Sequence, residues 1–484
     1  YPRANKLLEK IIVHDPDARF LLRLFLGPNW SWRDYQPWGQ AKAEQFAHYA
    51  DGSAGPISVG AQAPRLAAES QLADIVRHYE SSDYADRIIG YQPGLATTEM
   101  FHDMYREKGP DVSEANQQGF RRWLRAVYAN DAALQHAWQR ADITLDQAVI
   151  PTPEADRYPM HQARPGETLQ VFYDPSSQCD WVDFSRYANQ IMADRIIAWA
   201  RIIKTEAHHR KLAAFFYGYT FELPGSNSGH YALRRVLDCP DVDILASPYS
   251  YVDRGPGGTG HFMSPVDSIS ANGKLWFNED DTRTSVMDMS QVTFPGFLLG
   301  ARAGSLEETL GILDRNTASI LVHRTGAWWM DLTASGAFAD AQPWQMLEQR
   351  LSLYRDLYRD PIRFSPEVAV VVDEASKEVV RDDWTVNAEN LYGYRDQSGR
   401  TGAAVGYYLL SDLLEANRIP ACRAYVFPNA FQLDDEQIAV LHRRLERDKA
   451  WAMWAYAPGV WTRSGVDFHR VEAVSGMAVS VAPV

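Results

Sequence analysis

Two glutamates stand where a pair of carboxyl groups can do chemistry: Glu99 in GYQPGLATTEM (90–100) and Glu279 in KLWFNED (274–280). Displacement at an acetal carbon with retention of configuration needs two carboxyl groups about 5–5.5 Å apart. One is protonated to release the leaving oxygen, and one is ionised to attack. An acid working near neutrality needs apolar neighbours to raise its pKa, and Tyr91 and Trp328 are candidates to surround Glu99. The nucleophile needs the reverse environment, which Asn278, Arg283 or the hydroxyl of Tyr249 or Tyr251 can provide for Glu279. A lone glutamate after a strand more often starts a helix or faces solvent, so the two residues together weigh more than either alone.

Other side chains can build a pocket for a sugar around that pair. Trp328 and Trp329 offer flat faces for the apolar side of a pyranose. Arg23, Trp30 and Trp32 lie at the end of an early apolar run, Tyr219 at the end of FFYGY, and Thr98 directly before Glu99. His230 in SGHYAL and His323 in LVHRTG read as structural histidines ahead of ligands. By strand alternation Asp280 points away from the side that Glu279 faces, and with Asp281 it is expected to orient Arg283 and close the turn. Two adjacent aspartates are weak evidence for a divalent cation. No metal or cofactor is expected.

Residues so placed need a scaffold that gathers strand ends. Short β-rich runs alternate with long amphipathic stretches, the pattern of parallel strands covered by helices. Strands are predicted at 19–27, 56–59, 87–92, 211–219, 243–251, 274–280 and 319–328, one short of the eight that close a (β/α)8 barrel, whose functional groups collect at the carboxyl ends of its strands. Residues 3–13 read as a helix feeding the first of these strands, which places the missing strand near or before Tyr1. Along 184–204, Ala188, Met192, Ile196, Trp199 and Ile203 recur at helical spacing and predict a face packed on the barrel. The segment 101–170, helical over 112–150, exceeds a normal connection and reads as a rim insertion able to wall a pocket.

A second unit is expected over 366–484. It comprises a strand at 368–374, a helix from about 406 to 417, a strand at 424–429, a helix at 435–447 and a strand at 450–459. This alternation predicts a small parallel α/β domain, after a barrel domain spanning 1–365. No glycine-rich phosphate fingerprint follows its strands, so its expected role is assembly, with small-molecule sensing by 366–460 as a weaker reading.

The 484 residues carry a net charge of −14, with 46% hydrophobic and 23% charged residues, which is ordinary globular composition. With no basic block, the charge argues against a nucleic-acid partner. Cys179, Cys239 and Cys422 are odd in number and far apart, forming neither a disulfide framework nor a zinc cluster. No apolar run reaches the ~18 residues that span a bilayer, so no membrane partner is expected. The N-terminus lacks a signal-peptide pattern, which favours the cytoplasm; a periplasmic or secreted location stays open because residue 1 is Tyr.

Several longer runs, together covering most of the chain, resemble glycoside hydrolase family 42, the β-galactosidase-like barrels of clan A. They are LRLFLGPNWSW with Pro37 after it, IIGYQPGLATTEM, FRRWLRAVYANDAALQHAW, FFYGYTFEL, the stretch from SGHYAL to ILASPYSY, and, most specifically, GKLWFNEDDTRT. The resemblance implies an acid/base after strand four, at Glu99, and a nucleophile ending strand seven, at Glu279. It implies an oligosaccharide or glycoside substrate, and a homotrimer formed through the amidotransferase-like second domain. Thr98 stands where the clan has an Asn that binds the sugar 2-hydroxyl. A β-mannoside or another β-glycoside therefore stays beside a β-galactoside as expected substrate, and a non-catalytic carbohydrate-binding barrel is the reading from another class. The zinc cluster of some members is absent.

Overall fold

The computed structural model describes residues 2–26, 43–95, 100, 109–152, 171–223, 225–226, 228–292, 301–359, 364–381, 386–415 and 418–479. The chain opens with helix α1 (Pro2–His14), leading into strand β1 (Phe20–Phe25). A short hairpin of β2 (Phe46–His48) and β3 (Ala54–Ile57) comes next, then helix α2 (Gln62–Glu80) and strand β4 (Ile88–Gly94). Helices α3 (Glu114–Val127), α4 (Asp131–Trp138) and α5 (Cys179–Glu206) separate β4 from β5 (Leu212–Phe216). The chain continues through α6 (Leu233–Leu237), β6 (Ile244–Pro248), α7 (Val266–Ala271), β7 (Leu275–Asp280), α8 (Leu306–His323), β8 (Gly326–Trp329) and α9 (Ala341–Arg359).

Strands β1, β4, β5, β6, β7 and β8 pair in that order, all parallel, in one six-stranded sheet. The α/β barrel class expected from the alternation of elements is therefore the fold observed, with six barrel strands among the described residues. Two expected strands are corrected. The 56–59 run does not enter the barrel: β3 pairs antiparallel with β2, Phe46 opposite Ile57, while β1 pairs directly with β4. Pro56 has no N–H to give a central strand, and a two-stranded ribbon tolerates it. Residues 319–323 finish α8 instead of starting β8. Ser305 caps that helix by accepting from the Glu308 N–H, its buried stripe runs through Ile312, Leu313, Asn316 and Ile320, and Arg324, with φ 54°, ends it. A β-branched run at the end of a long capped helix follows the helix.

The predicted stripe on α5 is buried throughout, with Ala188, Met192, Ile196 and Ile203 at 0% exposure. Helices α3 and α4 pack on the outer flank of α5, where Phe120, Leu124, Leu134 and Trp138 meet Phe184 and Tyr187. This part of the segment braces the barrel wall.

A second parallel sheet follows, formed by β9 (Val368–Val372), β10 (Val405–Leu409), β11 (Ala424–Phe427) and β12 (Trp451–Trp454) in the order β10-β9-β11-β12. Helices α10 (Ala375–Glu378), α11 (Val386–Ser398), α12 (Leu410–Leu414) and α13 (Asp435–Asp448) connect or cover these strands. The helix expected from 406 begins only at Leu410, because 405–409 form β10. All five residues of β10 are buried, so no alternation marks them as a strand. The two sheets share a core in which Val370, Val372, Tyr407 and Leu409 cluster with Trp199 and Phe215. They also share hydrogen bonds at the open edge of β10: the Tyr407 N–H donates to Asp267 Oδ2 and the Leu409 N–H to Ser268 Oγ, both at 2.7 Å. No helix among the described residues is long and apolar enough to cross a membrane.

Candidate active site

Alternation along β7 decides what faces the barrel interior. Trp276, Asn278 and Asp280 share the outer face: the Trp276 indole N–H donates to Asn278 Oδ1 at 2.9 Å, and Asp280 accepts from Asn316 of α8 at 3.0 Å. Phe277 and Glu279 therefore face inward. Glu279, at the carboxyl end of the strand and 5% exposed, accepts two hydrogen bonds on Oε2, from Arg23 Nη2 at 2.8 Å and from the Trp328 indole N–H at 2.9 Å.

The groups that grip Glu279 are themselves fixed. The Arg23 guanidinium lies over the rings of Phe216 (4.9 Å) and Trp328 (5.5 Å), and its Nε donates to Gln92 Oε1 at 3.3 Å. Trp328 stacks on Phe277 at 5.5 Å and meets Phe216 edge-on at 5.7 Å. The result is an aromatic box around one ion pair, with little freedom for either partner. Burial pushes the Glu279 carboxyl above its ordinary value, while the Arg23 charge and the two hydrogen bonds pull it back.

The flanking acids have other duties. Burial opposes ionisation of Asp281, but Arg254 and Arg283 hold its carboxyl below the usual range, with Arg283 Nη1 at 2.9 Å. Asp280 binds the Thr282 N–H and hydroxyl. The turn after β7 is thus closed by these acids, with Arg283 held by Asp281. Among the described residues no group of three or more His, Cys, Asp or Glu could hold a metal ion.

Several expected positions are moved by the geometry. Asn278 and Arg283 do not support Glu279, because one lies on the outer face and the other is bound to Asp281; Arg23 and Trp328 take that place. Tyr249 is fully buried, and its hydroxyl donates to the Asn316 carbonyl at 2.7 Å, behind the sheet. Tyr251, 42% exposed, reaches Asp281 at 3.2 Å instead of Glu279. Trp329 turns outward and meets Trp344 of α9 edge-on at 5.9 Å, so of the two tryptophans only Trp328 lines the box. Tyr91 also points outward, donating to Glu80 of α2 at 2.9 Å, and is no neighbour for an acid inside the barrel.

Tyr219 is buried at the mouth in a cluster with Phe216, Ala246 and Met263, and its ring lies 4.5 Å from that of His230. His230 Nδ1 accepts from the Gly218 and Tyr219 N–H groups at 3.1 and 3.2 Å, and burial lowers its pKa to about 3, which fits a structural histidine. His323 contacts Asp267 at 3.0 Å, on α7. Trp30, Trp32, Thr98 and Glu99 lie outside the described residues. Met100, directly after Glu99, is buried and donates its N–H to the Phe216 carbonyl at 3.3 Å. Sequence reasoning missed Phe216, Phe277 and Gln92, whose common signal is an inward register position near the end of a strand.

Compared by sequence, the chain matches no protein-family model and no curated protein. Solved structures do match. A GH42 β-galactosidase from G. stearothermophilus superposes with a TM-score of 0.60 at 12% identity, over 95% of this chain and 65% of that one. The cold-adapted β-galactosidase of Rahnella sp. R3 gives 0.60 at 13% identity, over 96% and 64%. The chain has the fold of the family 42 β-galactosidases. A GH42 exo-carrageenase from Bacteroides ovatus shares that GH42 fold, with a TM-score of 0.56 at 13% identity, over 92% of this chain and 59% of its own. The chain spans less than two thirds of the length of each of these GH42 structures.

Proposed function

We propose that the chain is a retaining, exo-acting β-glycoside hydrolase of β-galactosidase type, in which Glu279 is the nucleophile and Glu99 the general acid/base. The observation that carries this reading is the buried Glu279 carboxylate at the carboxyl end of β7, gripped by Arg23 and Trp328 in a GH42-like fold. Glu279 attacks the anomeric carbon as Glu99 protonates the departing oxygen. Glu99 then takes a proton from water, which displaces Glu279 and releases the sugar. The Arg23 pair keeps one Glu279 oxygen occupied and leaves the other to attack. Support for Glu99 comes from its neighbour: Met100 is tied to Phe216, whose ring packs on Trp328.

Trp328, Arg23, Trp30, Thr98 and Tyr219 are the proposed contacts of the sugar site. Tyr251 belongs to the outer rim. The Arg23 charge is already balanced by Glu279, so a neutral sugar fits better than a sulfate or a uronate. Thr98 leaves a β-mannoside or another β-glycoside as the second specificity. We also propose a barrel domain over 1–365, an α/β domain over 366–484, and assembly through the latter into a homotrimer.

Glu279→Gln is expected to lower kcat by about 10³-fold or more, with the fold intact by circular dichroism. A 2-fluoro glycoside should form a covalent adduct on Glu279 of the wild type. Turnover of the variant at wild-type rate, or an adduct elsewhere, would refute the assignment. A wild type that binds sugar but forms no adduct and turns over no nitrophenyl glycoside would favour the non-catalytic barrel.

A further inference from the structure

Gln92 is 3% exposed and sits on β4 directly opposite Arg23 of β1 in the parallel register. Its Oε1 accepts from Arg23 Nε, which places the amide on the inner face beside the Arg23–Glu279 pair. The other half of the amide is unused: Nε2 is buried and has no hydrogen-bond partner among the described residues. A buried N–H without a partner is costly, and such groups in native proteins call for an explanation. Asn278 Nδ2 is likewise unpartnered, but it lies on the outer face of β7, away from the box. The bond to Arg23 uses only the oxygen of the amide, so the buried donor that comes with it marks a place where a polar group can arrive.

We propose that Gln92 is a substrate-binding residue whose amide nitrogen donates to one ring hydroxyl of the sugar held at Glu279, while its oxygen fixes Arg23. The inference rests on the glycosidase reading above and adds a specificity contact to it. The two halves of one amide then join recognition to chemistry, because the sugar that satisfies Nε2 also pins the oxygen that holds Arg23 against Glu279. A ligand lacking that hydroxyl leaves the buried donor unpaired, which makes the site selective for it.

The test is a cycle between residue and hydroxyl. Galactose and its monodeoxy analogues are titrated calorimetrically into the wild type and into Gln92→Met, and nitrophenyl β-galactoside turnover is measured for both. Galactose binding is expected to weaken about tenfold in the variant, and KM to rise by a similar factor. The analogue missing the partner hydroxyl should bind the wild type and the variant alike. Gln92→Ala, which removes the donor and leaves room for water at Arg23, should show the same selectivity and serves if the Met variant does not fold. Equal weakening for every analogue would reduce Gln92 to a support for Arg23 and overturn the proposal, as would no weakening at all. A wild type that binds none of galactose, mannose and glucose and forms no 2-fluoro adduct brings down the glycosidase reading and this proposal with it. A working wild type with unaffected variants overturns only the role of Gln92.

Discussion

Glu279 is held by opposing influences, and their balance is open to measurement. Burial disfavours its charge, and Arg23 restores it. With Arg23→Leu the desolvation is left less opposed, so the carboxyl is expected to titrate higher, and the acid limb of kcat/KM should move up by about one pH unit. A limb that stays in place would show that Arg23 does not tune the nucleophile. At this scale strand alternation was informative for one pair: with Glu279 inward, Asp280 is outward, and the same alternation turns Asn278 outward although its type suits the site. Arg23 on Glu279 was not legible, because barrel curvature, and not spacing, brings together residues 256 positions apart. The same applies to Tyr249 and Trp329, whose types suit a sugar site but whose register turns them to the helices outside.

Among the elements, the carboxyl end of β9 shows how the second sheet is tied to the barrel. Glu374 accepts from the Leu233 and Arg234 N–H groups that open α6, and burial raises its pKa to about 7. A carboxyl whose folded pKa lies above its unfolded value stabilises the fold below the unfolded pKa, and that contribution is lost as pH rises through about 7. Glu374→Gln is therefore expected to gain in melting temperature relative to wild type between pH 5 and pH 8. A constant difference across that range would refute the raised pKa. An element with a one-sided apolar stripe, such as α5, was readable from period. Those buried on all sides, such as β10, or apolar to their last turn, such as α8, were not, because burial erases the alternation that separates strand from helix.

For the molecule as a whole, the seam between the two sheets has its own acid sensitivity. His261 is 7% exposed, faces the Tyr407 hydroxyl at 3.3 Å, and is held by burial at a pKa of about 3. A histidine kept neutral in the fold but protonated when unfolded removes stability as pH falls from about 6.5 toward 3, by about 1.4 kcal/mol per pH unit at most. His261→Gln should therefore lose less melting temperature than wild type between pH 7 and pH 5; an identical loss would place the acid sensitivity elsewhere. The bond pattern of the same seam also sets what each side can tolerate under mutation. Strand β10 offers only backbone N–H groups to Asp267 and Ser268, and any residue except proline carries one at 407 and 409. These two bonds therefore survive replacement of the β10 side chains, while the two acceptors on α7 have no substitute. Divergent relatives should keep an acceptor at 267 and 268 even where 409 varies.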